Sequence, residues 1–136
     1  MTKVGEHITL DIIGTKKEYS PSFYEKLVYK IAKKAKVTVL EISKHKFEPQ
    51  GFTLVALLAE SHISFHTFPE HGIISFDFFT CGKVSPNVAL DVIKSEIKCK
   101  RIIKKSFDRH TVENYFDTSS TPGMQKSYVV KDVLED

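Results

Sequence analysis

The sequence is poor in cysteine and has no long apolar stretch. Its 136 residues include only two cysteines, Cys81 and Cys99, so no disulfide framework holds the fold and a reducing, cytoplasmic location is expected. No apolar run reaches the roughly 20 residues that a membrane helix needs. The first seven residues also lack the apolar core of a signal peptide. These absences predict a cytoplasmic protein without a membrane partner.

An excess of charge of one sign is also missing. Lys plus Arg is 20 and Asp plus Glu is 17, and the net charge of +3 is too small and too scattered to indicate nucleic acid as a partner. The mass of 15.5 kDa predicts a single domain over residues 1–136. A domain this small has little surface in which to form a deep pocket. If it is an enzyme, we expect it to need a second copy of itself.

Two Ser-Pro pairs mark the predicted beginnings of helices. Ser20-Pro21 puts proline at the first helical position, and Ser22 and Glu25 have the spacing of a capping box. Ser85-Pro86 repeats this signature. Apolar residues at helical spacing predict the buried faces of the two helices, formed by Tyr24, Leu27, Val28 and Ile31 in the first and by Ala89, Val92, Ile93 and Ile97 in the second.

Strand patterns fill most of the remaining sequence. Residues 6–13 alternate between apolar and polar, residues 37–80 contain alternating or continuously apolar segments, and residues 99–107 are typical of an edge strand. The order β-α-β-β-β-α-β predicts an α+β two-layer sandwich, with two helices on one face of a mostly antiparallel sheet. Residues 117–136 are predicted to be a loose tail with a short strand at Tyr128-Val129-Val130.

The densest polar segment runs from Glu60 to Gly72 and holds three of the six histidines. On an extended strand, His62 and His66 have Cα atoms roughly 13 Å apart, too far for two ligands of one zinc ion, so no metal is expected. A serine hydrolase would need Gly-x-Ser-x-Gly, but Ser61 lies between Glu60 and His62. Taken singly, each of these residues is explained as well by a half-exposed strand whose polar groups are satisfied by neighbours.

Taken together, three motifs resemble the processing and active-site region of prokaryotic S-adenosylmethionine decarboxylases. The motifs are Glu60-Ser61-His62, His66-Thr67-Phe68-Pro69-Glu70 and Thr80-Cys81-Gly82. Asp77 and the preceding loop, Phe47-Glu48-Pro49-Gln50-Gly51-Phe52-Thr53, match that family as well. The resemblance covers roughly residues 5–108.

The resemblance implies a chain that cuts itself. Ser61 would attack the carbonyl of Glu60, and cleavage between them would give a beta chain of residues 1–60 and an alpha chain of residues 61–136. Ser61 would become a pyruvoyl group, a form of pyruvate that forms a Schiff base with the substrate amine and accepts the electrons left by CO₂. The implied reaction converts S-adenosylmethionine to S-adenosylmethioninamine and CO₂ for the biosynthesis of spermidine and other polyamines.

The resemblance also assigns roles to side chains around the cleavage site. His66 corresponds to the histidine that accepts a proton during processing, and Cys81 to the acid that returns a proton to the substrate carbon. Thr53 corresponds to the residue that supports processing by a hydrogen bond to the ester intermediate. The expected contacts to the substrate are adenine stacking by Phe47 and Phe68, ribose binding by Glu70, and lining of the methionine end by Leu58 and Glu60.

The sequence departs from the usual pattern of the family near these residues. Phe68 stands where Trp is more frequent, which reduces the stacking area. His71 and Ile73 replace tyrosines, and Leu54 replaces a common glycine. These changes leave the processing residues intact and bear on substrate preference.

The spacing of Ser61 and His66 predicts a dimer. They are five residues apart, so on a regular strand they point to opposite faces with Cα atoms about 16 Å apart. A proton transfer needs about 2.6–3.2 Å between heavy atoms. The longer eukaryotic members of the family resemble two fused copies, which favours a C2 homodimer with two sites. Each site would take Ser61, Glu60 and Cys81 from one protomer, and Thr53, His66, Phe47 and Glu70 from the other.

Two other functions are compatible with the same motifs. A pyruvoyl-dependent arginine or ornithine decarboxylase would use the same machinery, although Phe47 and Glu70 favour a nucleoside substrate. A non-catalytic paralogue could instead act as an allosteric partner of an active one. Such proteins normally lose the serine or the histidine, whereas this sequence keeps Ser61, His66 and Cys81.

Overall fold

The computed structural model describes residues 3–16, 18–110 and 129–134. A single turn of 3₁₀ helix, Pro69–His71, precedes the fifth strand. The strands and helices of the described ranges are, in chain order, β1 (Lys3–Ile13), α1 (Pro21–Ala35), β2 (Val39–Lys46), β3 (Phe52–Leu58), β4 (Ser61–Phe68), β5 (Ile73–Thr80), α2 (Val88–Glu96), β6 (Arg101–His110) and β7 (Val129–Leu134).

The seven strands form one antiparallel sheet in the order β2-β3-β4-β5-β1-β6-β7. The predicted α+β sandwich is therefore confirmed. The predicted order had three strands between the helices, but the structure has four, β2 to β5. Residues 52–68 fold back at a two-residue turn and contribute two of these four strands, β3 and β4.

The prediction that residues 99–107 form an edge strand is wrong. β6 pairs with β1 on one side and with β7 on the other. β7 lies within the predicted loose tail and is longer than the short strand expected at 128–130, because β6 offers it an edge of unpaired backbone groups. Tyr128 and the rest of that predicted tail lie outside the described residues.

Local signals in the sequence explain where the helices begin. The Ser20 side chain accepts a hydrogen bond from the backbone N–H of Phe23, with proline at the first position of α1. α2 begins at Val88, later than the Ser85-Pro86 pair suggests, because residues 85–87 form a turn. In that turn the Ser85 hydroxyl accepts a hydrogen bond from the N–H of Asn87.

The two faces of the sheet have different surroundings. α1 and α2 contact each other, and both share one hydrophobic core with a single face of the sheet, which we call the covered face. Leu10, Leu54 and Phe65 on this face are fully buried. None of the described elements packs on the opposite, open face, which carries Val55 and Leu57 at 44% and 50% exposure. None of the described helices is long and apolar enough to cross a membrane.

Candidate active site

The predicted cleavage site lies at the turn between β3 and β4. Leu58 pairs with Ser61, so only Ala59 and Glu60 connect the two strands. Both turn residues are exposed, and the N–H of Ala59 donates a hydrogen bond to the carbonyl of Thr38 at 2.9 Å. Glu60 has a left-handed backbone with a φ of 61°, a conformation that residues other than Gly, Asn and Asp rarely adopt. The peptide bond expected to break therefore follows an exposed residue in an unfavourable backbone conformation.

Ser61 itself is buried at the first position of β4. It is 6% exposed, and its Oγ donates a hydrogen bond to the Oγ1 of Thr80 at 3.2 Å. Thr80, its cross-strand neighbour on β5, is 2% exposed and also accepts a hydrogen bond from the N–H of Gly82 at 2.9 Å. Among the described residues, Thr80 is thus a defined partner for the buried hydroxyl of Ser61.

Cys81 follows directly after Thr80. Its side chain is exposed and is a free thiol. It lines a surface depression beside the start of β1, together with Glu6 and Lys83. A thiol in this place is open to a bound molecule and close in sequence to the partner of Ser61.

His66 and Thr53 meet on the open face. They are cross-strand neighbours on β4 and β3, and the Oγ1 of Thr53 lies 3.1 Å from the Nδ1 of His66. If the imidazole carries its proton on Nδ1, it donates to Thr53 and leaves the lone pair of Nε2 available to accept a proton. The contact with Thr53 therefore orients the His66 imidazole, a candidate base.

The structure does not bring His66 to Ser61 within one chain. Burial alternates along β4, with Ser61 on the buried side and His66 on the half-buried open face. Five residues of extended strand separate their Cα atoms by about 16 Å. A direct proton transfer between the two within one chain is excluded by this distance.

The residues expected to bind the substrate differ in accessibility. Phe47 and Phe68 are 47% and 42% exposed, and Glu70 is exposed in the 3₁₀ turn. The Phe47 ring packs edge-on against His45, with ring centroids 4.6 Å apart. Leu58 is 1% exposed in the core, so only its backbone is available to line the methionine end of a substrate.

A further polar cluster on the open face was not predicted from the sequence. One carboxylate oxygen of Asp77 lies 2.7 Å from the Nε2 of His7 and 3.1 Å from the Nε2 of His62, and its other oxygen accepts a hydrogen bond from Ser64. The cluster joins β1, β4 and β5. Only the strand register brings these residues together, because His7 and Asp77 lie 70 residues apart in the sequence.

The hydrogen bonds of this cluster set the ionisation of Asp77. Partial burial of the carboxyl would raise its pKa, but hydrogen bonds from His7, Ser64 and His62 outweigh that effect and lower the pKa to about 2. The ligand atoms of His7, His62 and Asp77 lie within 4.8 Å of one another, close enough to hold a metal ion. Each of them already has a partner inside the cluster, so the geometry is that of a hydrogen-bonded network.

Comparison with known sequences identifies the chain as a member of a class of decarboxylases. A model of the S-adenosylmethionine decarboxylase family matches residues 6–110. The S-adenosylmethionine decarboxylase proenzyme of Prochlorococcus marinus strain MIT 9313 is 40% identical over 79% of this chain and 89% of its own length. The proenzyme of the same name from Bacillus velezensis is 41% identical over 68% of this chain and 75% of its own.

Solved structures agree. The adenosylmethionine decarboxylase of Aquifex aeolicus superposes with a TM-score of 0.74 at 35% identity, over 87% of this chain and all of its own. The AdoMetDC-delta26 monomer of Trypanosoma brucei has the same fold, with a TM-score of 0.56 at 12% identity, over 75% of this chain and 45% of its own. The chain belongs to the S-adenosylmethionine decarboxylase family, as the motifs around Ser61 predicted.

Proposed function

We propose that this chain is a proenzyme that cuts itself between Glu60 and Ser61 and then decarboxylates S-adenosylmethionine to S-adenosylmethioninamine and CO₂, as a step in spermidine synthesis. The observation that carries the proposal is the buried Ser61 hydroxyl, held by Thr80 directly after the left-handed Glu60. The relatives named as proenzymes support it.

The cleavage uses only groups of the chain and water. The Oγ of Ser61 attacks the carbonyl carbon of Glu60, and the C–N bond breaks to leave an ester and a free amine. A base then removes the Cα proton of residue 61, and the bond between Cβ and the ester oxygen breaks. Glu60 leaves with a carboxylate. The dehydroalanine at residue 61 tautomerises to an imine, and water replaces its nitrogen to give a ketone and ammonia.

His66 is the base of the elimination step in this proposal. Its contact with Thr53 supports the tautomer in which Nε2 accepts a proton. In the same step, Thr53 is proposed to hydrogen-bond the ester oxygen that approaches the imidazole. Both side chains are only half-buried on the open face, so a second chain can reach them.

The resulting pyruvoyl group fits the surroundings of residue 61. When formed, it supplies a carbonyl that condenses with the substrate amine and an electron sink for the electrons released with CO₂. Thr80 offers a hydroxyl on the buried side, and the exposed Cys81 is the proposed donor of a proton to the substrate carbon. Phe47 and Phe68 expose aromatic faces for the adenine and the sulfonium cation, and Glu70 exposes a carboxylate for the ribose hydroxyls.

The active form is proposed to be a homodimer with its two sites at the interface. The open face carries exposed apolar side chains that a second copy would bury, among them Val55, Leu57 and Phe68. Ser61 begins β4 at the rim of the sheet, where a chain stacked on the open face could bring its own His66. The Trypanosoma chain is about twice as long as the part that this chain matches, which is consistent with two such units in one polypeptide.

The two cysteines are consistent with the proposed cytoplasmic location. Cys81 is exposed and Cys99 half-buried, and within the described residues neither takes part in a disulfide bond. An exposed catalytic thiol is preserved in a reducing compartment.

Intact-mass analysis of the denatured protein tests the self-cleavage. We expect two fragments split after Glu60, the larger without a reactive N-terminal amine, and a single uncut chain for Ser61→Ala. Release of labelled CO₂ from S-adenosylmethionine, arginine and ornithine then identifies the substrate. An uncut wild-type chain, or release from a basic amino acid alone, would contradict the proposed function.

Mixing two inactive variants tests the shared site. Neither His66→Ala nor Ser61→Ala should cut itself. In a mixed dimer, one site combines the Ser61 of the His66→Ala chain with the partner subunit's His66, so co-expression should restore cutting of the His66→Ala chain alone. A size tag on one variant shows which chain is cut. If the mixture stays uncut while the dimer forms, each site belongs to a single chain.

A further inference from the structure

We propose that Thr80 is a positioning residue for self-cleavage, holding the Ser61 hydroxyl ready to attack the carbonyl of Glu60. This inference rests on the self-cleavage proposed above. It concerns the first step, formation of the ester, and assigns to β5 a part in a reaction whose two reacting residues lie at the β3–β4 turn.

The direction of the hydrogen bonds supports this role. The Oγ of Ser61 donates its proton toward the Oγ1 of Thr80, so the lone pairs of the serine oxygen remain free to attack a carbonyl. The N–H of Gly82 occupies another position on the same threonine oxygen. With these two donors in place, the Thr80 oxygen holds the Ser61 hydroxyl toward β5.

Thr80 is itself buried and sterically restricted, which makes it a suitable anchor. It is 2% exposed, pairs with Ser61 in the strand register, and has the restricted side-chain rotation of a β-branched residue. Gly82 lies close to it, since a Cβ at Gly82 would lie 3.1 Å from the Oγ1 of Thr80. The threonine oxygen is therefore fixed by its own strand and by the turn that follows.

The backbone conformation of Glu60 fixes the carbonyl that the anchored Ser61 hydroxyl would attack. The second position of a two-residue turn with positive φ is normally Gly or Asn, and here it is Glu at 61°. When a residue other than Gly or Asn has a left-handed backbone, the surrounding structure holds it in a conformation that it would not otherwise favour. With the carbonyl of Glu60 fixed by the turn and the hydroxyl of Ser61 fixed by Thr80, both reaction partners are oriented before the bond changes begin.

The substitution Thr80→Val removes the hydroxyl at nearly constant shape, and Thr80→Ser keeps it. We expect Thr80→Val to slow cleavage roughly tenfold or more, because the serine loses the hydrogen bond that directs its hydroxyl, and Thr80→Ser to stay within about threefold of wild type. Pulse-labelled full-length chain, followed by gel and mass analysis, gives the rates. Thermal melting of the uncut chains checks that the variants fold alike.

Hydroxylamine shows whether a substitution slows ester formation or the later elimination, because it cleaves an ester but leaves a peptide bond intact. Hydroxylamine should cut His66→Ala rapidly, because its ester forms but cannot eliminate. It should not speed the cutting of Thr80→Val, whose ester is slow to form. Wild-type cleavage rates in Thr80→Val, or equal hydroxylamine sensitivity of the two variants, would overturn the role of Thr80 and leave the proposed function standing.

A second variant keeps the test independent of the fold of Thr80→Val. Gly82→Ala retains the N–H donor and the threonine hydroxyl but pushes on the Oγ1 of Thr80 from 3.1 Å. We expect a several-fold slowing of cleavage, with no hydroxylamine acceleration; an unchanged rate counts against the proposal. An uncut wild-type chain would instead overturn the self-cleavage itself, and the role of Thr80 with it.

Discussion

The two faces of the same sheet differ in what they contribute. On the covered face, Leu10, Leu54 and Phe65 are fully buried against the helices and supply the hydrophobic stabilisation of the domain. On the open face, the same strands carry Thr53, His66 and the Asp77 cluster, all half-buried. A strand that alternates between two environments can therefore carry the core and polar functional groups in successive residues.

Ser61 and Thr80 depart from this division. Both are buried polar residues, and they pair at the rim of the sheet beside the exposed turn at Glu60. The Ser61 hydroxyl donates a hydrogen bond to the Thr80 hydroxyl, and such bonding lowers the cost of burying polar groups. The proposed nucleophile thus lies in the buried part of the molecule, whereas its proposed base lies on the surface that a second chain would cover.

Of the changes considered, a charge placed on the open face should have the largest effect, because it should prevent the proposed dimer from forming. Val55→Asp would bury an unpaired carboxylate in the proposed interface, at a cost of about 4 kcal/mol, or roughly a thousandfold in association. We expect light scattering to give the mass of a single protomer and self-cleavage to fail with it. Val55→Thr, which is polar, uncharged and compatible with a strand, should remain a dimer. A dimer of unchanged stability with Asp at this position would show that the open face is not the interface.

Two leucines on β3 allow the stability contributions of the two faces to be compared. Leu54 is fully buried and Leu57 is 50% exposed. In the uncut Ser61→Ala background, Leu54→Ala should lower the free energy of unfolding by about 3 kcal/mol and Leu57→Ala by less than about 1 kcal/mol, measured in urea at concentrations where the chain is monomeric. Equal losses would mean that the open face contributes to the core of the monomer.

Asp77 tests what the open face contributes to stability. Its folded pKa of about 2 lies below the ordinary aspartate value of 3.8, so the ionised carboxylate stabilises the fold above pH 4, and this contribution disappears as the pH falls through 2. We expect Asp77→Asn to cost about 2 kcal/mol at pH 7, with a gap to wild type that narrows from pH 4 towards pH 2. Ser64→Ala, which removes one hydrogen bond, is the milder control. A gap that does not change with pH would contradict the assignment to the ionised carboxylate.

Features that depend on local pattern were predictable from the sequence. The buried face of α1, with Tyr24, Leu27, Val28 and Ile31, followed from helical spacing, and all four are buried. The alternation along β4 followed from period two and placed Ser61 and His66 on opposite faces. In both cases the signal lies within a few residues, where side-chain direction is set by the backbone alone.

Features that depend on strand pairing were not predictable. The contact of His7 with Asp77 requires β1 to pair with β5, which no local pattern specifies. The strand Val129–Leu134 forms where β6 offers an edge, and the sequence predicted a strand only over residues 128–130. The Thr53–His66 contact follows from the β3–β4 register and was suggested only by the roles that the family resemblance gave to both residues.

The strand order has a consequence for the cut chain. Cleavage after Glu60 would leave β1, β2 and β3 in one piece and β4 to β7 in the other. Because β1 lies between β5 and β6, three pairs of adjacent strands would then consist of one strand from each piece. These pairs are β3/β4, β5/β1 and β1/β6. The strands of the two polypeptides would alternate within one sheet, so the polypeptides would separate only by unfolding. Breaking the backbone after Glu60 would therefore create two new chain ends and leave a single folded unit.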